Sequence, residues 1–340
     1  MNIAVICYSD AGAALAGRVS EILGLPLSDV HSIEKFAVKY GFTAHEKIAA
    51  DMGDLFSSRD ALIFIGACGI AVRSIAPHLK SKTEDPAVLV LDDRGRYVIP
   101  ILSGHIGGAN ALARSLADKL GAEAIVTTAT DGAGRFSCDA WASTHACAIS
   151  SMEAAKAVSA AILVSDVPIS SEFALPEILP TGLVPGGSGP LGVYIGVRGE
   201  GPFAKTLCLI PRIVTLGIGC RRGISAEAIR EAVSEALASA RIDPRAVCRV
   251  ASIDVKRDEA GLAEYAGDIG AQLVFYSAEE LSAVPGDFAE SEFVKKTVGV
   301  GNVCERAAVL GAGIGELLIG KTAHDGVTVA AAVRDWRVEF

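Results

Sequence analysis

The sequence lacks the short motifs of several large enzyme classes. It contains no G-x-S-x-G nucleophile elbow and no H-E-x-x-H zinc motif, so classical serine hydrolases and zincins are excluded. It has 8 cysteines but no C-x-x-C pair and no Cys/His cluster at zinc spacing. We therefore predict no metal site built from protein side chains, and reduced thiols in a cytoplasmic protein.

The chain also lacks a basic block and a membrane-spanning run. It carries 40 acidic and 31 basic residues, a formal net charge of -9, which makes nucleic acid an unfavourable partner. The uncharged run 61–72 is too short to span a bilayer, and the run 178–197 contains prolines and glycines throughout. Met1 leads directly into an apolar stretch without a basic region, so we expect no signal peptide and no membrane partner.

What is present is a large apolar content in an alternating pattern. The chain has 340 residues, 51% of them hydrophobic, which is enough for more than one core. Apolar runs such as 61–65 are typical of strands buried on both faces, and runs such as 109–120 show helical spacing. We predict an α/β fold of two α/β domains with mainly parallel sheets flanked by helices, joined by a small middle module. The expected boundaries are 1–137, 138–211 and 212–340.

Three local patterns give further predictions. The apolar run 124–128 predicts a strand. Residues 92–95, Asp-Asp-Arg-Gly, lie between two strand-like runs and predict a hairpin. Ser225 is predicted to be the N-cap of the helix that follows it.

Three glycine-rich turns follow predicted strands and precede predicted helices, the order that exposes backbone N–H groups to an anion or an oxyanion. They are 66–73, 103–110 and 217–223. In open α/β sheets, ligands lie at the carboxyl ends of the strands. The glycines at 311–315 instead follow a helix and precede a strand, so we interpret them as a helix end and a turn. A tight chain reversal remains the structural alternative for each of the three turns.

His105 lies between glycines at one of these turns, where an exposed imidazole could transfer protons near neutral pH. A capping or surface histidine is the alternative. In the C-terminal part, 251–259 is predicted to be a loop before a helix, and Asn302 to cap a helix that starts near residue 303. Ordinary loop chemistry is the alternative for both stretches. Cys68 and Cys220 are explained equally well as packing residues and as nucleophiles.

Together the motifs 65–73, 102–110, 127–131, 217–223, 251–256 and 299–308 resemble the cobalt-precorrin-5A hydrolase family in order and spacing. The resemblance implies an enzyme of anaerobic cobalamin biosynthesis that opens the ring-A δ-lactone of its corrinoid substrate and releases C20 as acetaldehyde. It implies no cofactor, because cobalt arrives with the substrate. As further partners we expect a second copy of the chain in a homodimer, and transient contacts with other cobalamin-pathway enzymes. A domain resembling the C-terminal half occurs alone in some cobalamin pathways.

For that chemistry, we predict catalytic roles for His105 and Ser103. Backbone N–H groups near Gly107 and Gly108 would stabilise the oxyanion, and Arg73, Arg221 and Arg222 would bind substrate carboxylates. The full predicted substrate-binding set is Gly66, Cys68, Gly69, Arg73, Gly104, Gly107, Gly108, Asn110, Asp131, Gly217, Gly219, Cys220, Arg221, Ser252, Asp254, Gly299, Gly301, Asn302 and Glu305.

Two alternative functions stay open. One is a corrinoid carrier that holds the macrocycle without chemistry, with binding in residues 212–340. The other is a nucleotide-dependent enzyme using a glycine turn, although no acidic ribose partner follows at the required spacing. Lack of a thermal shift with NAD or ATP would exclude the second.

Overall fold

A computed structural model describes residues 1–81, 84–104, 107–127 and 134–340. The chain divides into two compact units, Met1–Ser143 and Thr144–Phe340. The first contains one sheet and the second contains two. The α/β fold class is confirmed. The three-part division at residues 137 and 211 stays a prediction.

In the described part of unit 1, seven strands form one sheet in the order β3-β2-β1-β4-β5-β6-β7. All neighbouring strands are parallel except β5 and β6. The strands are β1 (Ile3–Cys7), β2 (Val30–Ile33), β3 (Thr43–His45), β4 (Ala61–Ile65), β5 (Ala87–Leu91), β6 (Tyr97–Leu102) and β7 (Glu123–Ala124). The helices are α1 (Asp10–Leu23), α2 (Glu34–Tyr40), α3 (Ile48–Ser58), α4 (Cys68–Ile75), α5 (Ala109–Leu120) and α6 (Cys138–Thr144).

Helices cover both faces of this sheet, which explains its continuous apolar strands. The apolar faces of α1 and α5 pack on one side, and those of α3 and α4 pack on the other. β4 and β5 are buried at every position. The expected strand at 124–128 was wrong: β7 has only two residues, and 125–127 lie outside it.

The first sheet of unit 2 is more regular than the proline-rich sequence predicts. In the described residues it has five strands in the order β10-β9-β11-β12-β8, and only β8 is antiparallel to its neighbour. The strands are β8 (Cys147–Ile149), β9 (Val167–Ser171), β10 (Leu183–Pro185), β11 (Leu191–Ile195) and β12 (Lys205–Pro211), with helix α7 (Met152–Ile162). The core beside the second sheet of this unit also includes buried residues from this region, namely Val197, Cys208 and Ile210.

The second sheet of unit 2 positions the candidate site. Its order is β15-β14-β13-β17-β16; β13, β14 and β15 are parallel, and β16 and β17 form an antiparallel hairpin. The strands are β13 (Val214–Cys220), β14 (Val247–Ile253), β15 (Gln272–Tyr276), β16 (Glu316–His324) and β17 (Val327–Val333). The helices are α8 (Ala226–Ser239), α9 (Ala260–Asp268), α10 (Ala278–Ser282), α11 (Glu292–Val298) and α12 (Cys304–Gly311).

Two local predictions in this region are confirmed. The hydroxyl of Ser225 accepts from the Ala228 N–H and caps α8. The glycine run after α12 is a turn, with φ of 72° at Gly313 and 60° at Ile314, and it leads into β16. A dinucleotide turn requires the opposite order, strand before helix. Among the described residues, no helix has the length and apolar content to cross a bilayer.

Candidate functional site

A cavity of about 640 Å³ lies in unit 2 at the carboxyl ends of β13 and β14. This is the edge of an α/β sheet where ligands bind. The cavity lining comprises Gly219, Cys220, Arg221, Arg222, Ile253, Val255, Lys256, Val294, Thr297, Val298, Gly301, Asn302, Val303, Cys304, Lys321, Gly326 and Thr328. The predicted residues Gly219, Cys220, Arg221, Gly301 and Asn302 are therefore brought together.

Four cationic side chains line this cavity, although the chain as a whole is acidic. They are those of Arg221, Arg222, Lys256 and Lys321. Lys256 Nζ lies 3.0 Å from Glu259 Oε1. Within the described ranges, the other three form no ion pair with a carboxylate. The lining also includes apolar residues, among them Val294 and Val298. The cavity therefore suits a ligand that combines an apolar body with carboxylates.

The loop that begins α12 is held by a buried amide and carboxylate. Asn302 Oδ1 accepts from the Glu305 N–H in the first turn at 3.0 Å, although α12 begins at Cys304 and the residue at its N-cap position is Val303. Glu305 Oε2 accepts from Asn302 Nδ2 at 2.5 Å and from the Ala289 N–H at 3.1 Å. Its Oε1 accepts from the Lys321 N–H at 2.7 Å. Glu305 does not itself line the cavity, and it connects two lining residues, Asn302 and Lys321, with Ala289.

Two cysteine thiols contribute to the cavity lining. Burial raises the pKa of Cys220 to about 11, against a smaller lowering by Lys256. Burial likewise raises the pKa of Cys304 to about 11. Both side chains are therefore neutral thiols at neutral pH, and neither has the environment of an activated nucleophile.

The remaining predicted residues of unit 2 have mainly structural positions. A Cβ at Gly217 would overlap the Cys304 carbonyl oxygen, so this glycine allows α12 to approach β13. Ser252 was expected to lie in a loop, but the structure places it in β14. Its side chain is fully buried, and its hydroxyl donates to the Ile218 carbonyl at 2.6 Å. Asp254 is exposed and opens the short helix Asp254–Lys256. Gly299 ends α11 with φ of 84°.

The residues 66–73 lie at the carboxyl edge of the sheet in unit 1. The Gly66 N–H donates to the Leu91 carbonyl, and φ of 144° at Gly66 turns the chain into α4. Cys68, Gly69 and Arg73 are exposed on that helix.

The described residues 103, 104 and 107–110 lie at the opposite edge of the same sheet. β6 is antiparallel to β5, and Leu102 pairs with Val88 at the start of β5. Ser103 has φ of 54°, and its hydroxyl donates to the Asp85 carbonyl at 2.9 Å. The interpretation that both turns lie at the ligand edge of this sheet was therefore wrong. Because β6 runs in the direction opposite to β4, the length of the strands separates the two turns, a distance of about 15 Å at 3.3 Å per residue.

Close packing explains the glycines of this second turn. A Cβ at Gly104 would lie 2.8 Å from Asn110 Oδ1, and one at Gly107 would overlap the Ser103 side chain. Gly108 precedes α5 with φ of 80°. Gly107 also contributes to a smaller cavity of about 360 Å³ lined by 57–60 and 84–86. His105 and Asp131, two further predicted site residues, lie outside the described residues.

Sequence reasoning missed Lys256, Lys321 and Thr328 as lining residues. A signal for Lys321 was present, because residues 315–322 satisfy the letters G-x-x-x-x-G-K-[ST]. The structure places this run in β16, within a β-hairpin, whereas a phosphate loop must connect a strand to a helix. The match therefore indicates no nucleotide site. Over the described ranges, no three His, Cys, Asp or Glu side chains are grouped to hold a metal ion.

Two family models match the chain. The model of the cobalamin synthesis G N-terminal region matches residues 51–131, and that of the cobalamin synthesis G C-terminus matches residues 214–332. The second range contains the whole cavity lining, and the first contains both glycine turns of unit 1.

Similar proteins support the same assignment over the full length. The chain is 34% identical to the cobalt-precorrin-5A hydrolase of Salmonella typhimurium, covering 98% of this chain and 97% of the relative. It is 30% identical to the cobalt-precorrin-5A hydrolase of Priestia megaterium, covering 98% and 95%. Protein CobE of Sinorhizobium sp is 35% identical over 31% of this chain and 70% of its own length. The chain belongs to the cobalt-precorrin-5A hydrolase family.

Proposed function

We propose that this protein hydrolyses cobalt-precorrin-5A in anaerobic cobalamin biosynthesis. It opens the ring-A δ-lactone and expels C20 as acetaldehyde, giving cobalt-precorrin-5B. The similarity to two cobalt-precorrin-5A hydrolases over nearly the whole chain carries this proposal. The cation-lined cavity supports it, because the substrate is a flat macrocycle with several carboxylates.

The cavity of unit 2 supplies the binding part of this function. Arg221, Arg222 and Lys321 receive peripheral carboxylates in charge-assisted hydrogen bonds. The apolar lining residues Val294 and Val298 contact the macrocycle. Cobalt enters as part of the substrate, so the reaction needs no resident cofactor.

The reaction requires a base and a site for an oxyanion. Water forms a bond to the lactone carbonyl carbon and transfers a proton to the base; the ring C–O bond then breaks, and its oxygen takes up a proton. The hydroxyl on C20 then loses its proton, and the bond between C20 and the macrocycle breaks. C20 leaves as acetaldehyde, and the macrocycle keeps the electron pair of that bond and takes up a proton. His105 is the proposed base, and backbone N–H groups near Gly107 and Gly108 stabilise the oxyanion. Ser103 is a weaker candidate, because its hydroxyl already donates to a carbonyl.

Trapping of acetaldehyde tests the activity directly. The purified protein is incubated with cobalt-precorrin-5A, and acetaldehyde is captured with a carbonyl reagent while lactone opening is followed by mass. One acetaldehyde per opened lactone is expected. His105→Ala is expected to lose most of the rate, whereas His324→Ala, a matched change on exposed β16, retains it. Near-full release by His105→Ala would refute the assignment of His105.

A corrinoid carrier is the second candidate function. The observation favouring it is the similarity to CobE, which extends over only about a third of this chain. A related protein without the remaining two thirds would be consistent with binding that is separate from catalysis. A carrier binds the substrate tightly and releases no acetaldehyde in the same assay. Light scattering tests the proposed homodimer, and cell fractionation tests the proposed cytoplasmic location.

A further inference from the structure

Glu259 joins two cationic parts of the cavity wall. It immediately precedes α9, and its side chain is only 10% exposed. Its Oε2 accepts from the Gly223 N–H at 2.8 Å, and its Oε1 accepts from Lys256 Nζ at 3.0 Å. One carboxylate therefore fixes the end of the turn that carries Arg221 and Arg222, together with a third cation.

The backbone on both sides shows that this contact is part of a close junction. Gly223 has φ of 72°, a left-handed conformation that ends the turn. A Cβ at Gly261, in the first turn of α9, would overlap the Ile224 carbonyl oxygen. α9 therefore lies directly against the segment that follows the turn, and Glu259 is held at its place by this packing.

The other side of the turn is held by the β16–β17 hairpin. The Arg221 N–H donates to the Gly326 carbonyl at 3.0 Å. A Cβ at Gly326 would lie 2.5 Å from Arg221 Nε, so the guanidinium stem passes directly over this glycine. The turn is thus fixed between Gly326 and Glu259, and its two arginines line the cavity.

We infer that Glu259 is a positioning residue that sets substrate affinity by holding the turn 220–223 so that Arg221 and Arg222 face the cavity. The inference rests on the proposed function, because it takes the substrate carboxylates as the groups that these cations receive. Glu259 does not itself line the cavity. It acts through Gly223 and Lys256.

The sign of one substitution separates this role from a general charge effect. Glu259 is negative and lies beside cations that would bind carboxylates. If its charge alone mattered, its removal would raise the positive potential of the cavity and tighten binding. If it positions the turn, its removal frees Gly223 and Lys256 and weakens binding.

The experiment measures binding of cobyrinic acid, a corrinoid with free peripheral carboxylates, by the change in its absorbance. Glu259→Ala is expected to weaken binding by at least about tenfold, the order of effect expected when hydrogen bonds to a charged group are lost. Glu259→Gln keeps an oxygen for the Gly223 N–H and is expected to restore most of the affinity. Glu264→Ala, an exposed change of equal charge on α9, is expected to bind as the wild type does.

Turnover gives the second readout. Glu259→Ala is expected to raise KM for acetaldehyde release and leave kcat within about threefold, because removing binding common to ground and transition states affects KM alone. Gly326→Ala, which displaces Arg221 from the other side of the turn, is expected to weaken binding as well. If Glu259→Ala does not fold, Glu259→Gln serves as the test, because it removes the charge and keeps an oxygen for the Gly223 N–H.

Equal or tighter binding by Glu259→Ala overturns the inference and leaves the proposed function intact. Where Glu259→Gln serves instead, binding tighter than that of the wild type overturns it, because the charge would then outweigh the hydrogen bond. Equal weakening by Glu264→Ala also overturns it, because the weakening would then not depend on the contact between Glu259 and Gly223. A wild-type protein that neither binds the corrinoid nor releases acetaldehyde overturns both the proposed function and this inference.

Discussion

A buried histidine pair in unit 1 predicts a loss of stability in mild acid. His31 is 5% exposed, and its Nδ1 lies 2.9 Å from His45 Nε2. His45 Nδ1 lies 2.7 Å from the Asp51 carboxylate, and His31 Nε2 is buried without a partner in the described residues. Burial, then the charges of His45 and Arg59, lower the pKa of His31 from 6.5 to about 4, against a smaller opposite effect of Asp29.

The direction of the pH effect follows from proton binding. Between pH 6.5 and about 4, the unfolded chain binds a proton at His31 that the folded chain does not bind. The contribution of neutral His31 to the free energy of unfolding is therefore fully present above pH 6.5. It decreases as the pH is lowered towards 4, and below that value this group causes no further loss. A difference of about 2.5 pKa units at 1.36 kcal/mol each gives a loss of about 3 kcal/mol.

The assay is urea unfolding read by hydrogen exchange of the peptide spanning 27–47, which contains β2 and β3. We expect the wild type to lose about 2.5 kcal/mol more than His31→Leu between pH 7.5 and pH 4.5, since only the wild type carries the titrating imidazole. His324→Leu, a change of the same kind on exposed β16 of unit 2, is expected to lose as much free energy of unfolding over this pH range as the wild type does. An equal loss of free energy of unfolding in the wild type and in His31→Leu would refute the reasoning.

Three further predictions concern packing, capping and thiol reactivity. Gly217→Ala is expected to destabilise unit 2 by about 3 kcal/mol, because the new methyl overlaps the Cys304 backbone; urea unfolding measures it. Ser225→Ala is expected to cost about 1 kcal/mol through loss of the α8 cap, and the thermal midpoint should fall accordingly. Exposed Cys68 is expected to react with iodoacetamide at pH 7.5 well before Cys220, whose pKa is raised to about 11; peptide mass spectrometry gives the order, and faster labelling of Cys220 would contradict it.

The elements with strong local signals were predictable from the sequence. Helix α5 runs over 109–120 as expected, because its apolar positions repeat at helical spacing and Gly121 ends it in a left-handed conformation. β4 and β5 were predictable because uninterrupted apolar runs indicate strands covered on both faces. In each case, the information lies within about a dozen consecutive residues.

The middle sheet was not predictable in the same way. β9 and β10 contain Pro168 and Pro185, residues that normally argue against a strand. β10 is an edge strand, where a missing donor is tolerated, and β9 is stabilised by its neighbours β10 and β11. Such pairings join segments far apart in the chain, so they leave no periodic pattern in the sequence.

The location of the turns in unit 1 required one more step from a correct prediction. The sequence 92–95 predicts a hairpin, and the structure confirms that β5 and β6 are antiparallel. A hairpin returns the chain to the edge where β5 began, so the turn after β6 must lie opposite the turn after β4. The motif order suggested two similar turns, whereas the strand direction separates Gly66 from Ser103.

The cavity of unit 2 shows why half of a site can be predicted from sequence and half cannot. Glycine-rich turns at the ends of strands are visible locally, and one of them contributes Gly219 and Arg221 to the cavity lining. Lys321 reaches the same cavity from β16, which lies beside β13 only because the β16–β17 hairpin adds antiparallel strands to a parallel sheet. Glu259 acts one step further away, through a backbone N–H. Residues that hold a site together in this way carry no motif, because the chemistry they provide is a hydrogen bond that any carboxylate could form from the right position.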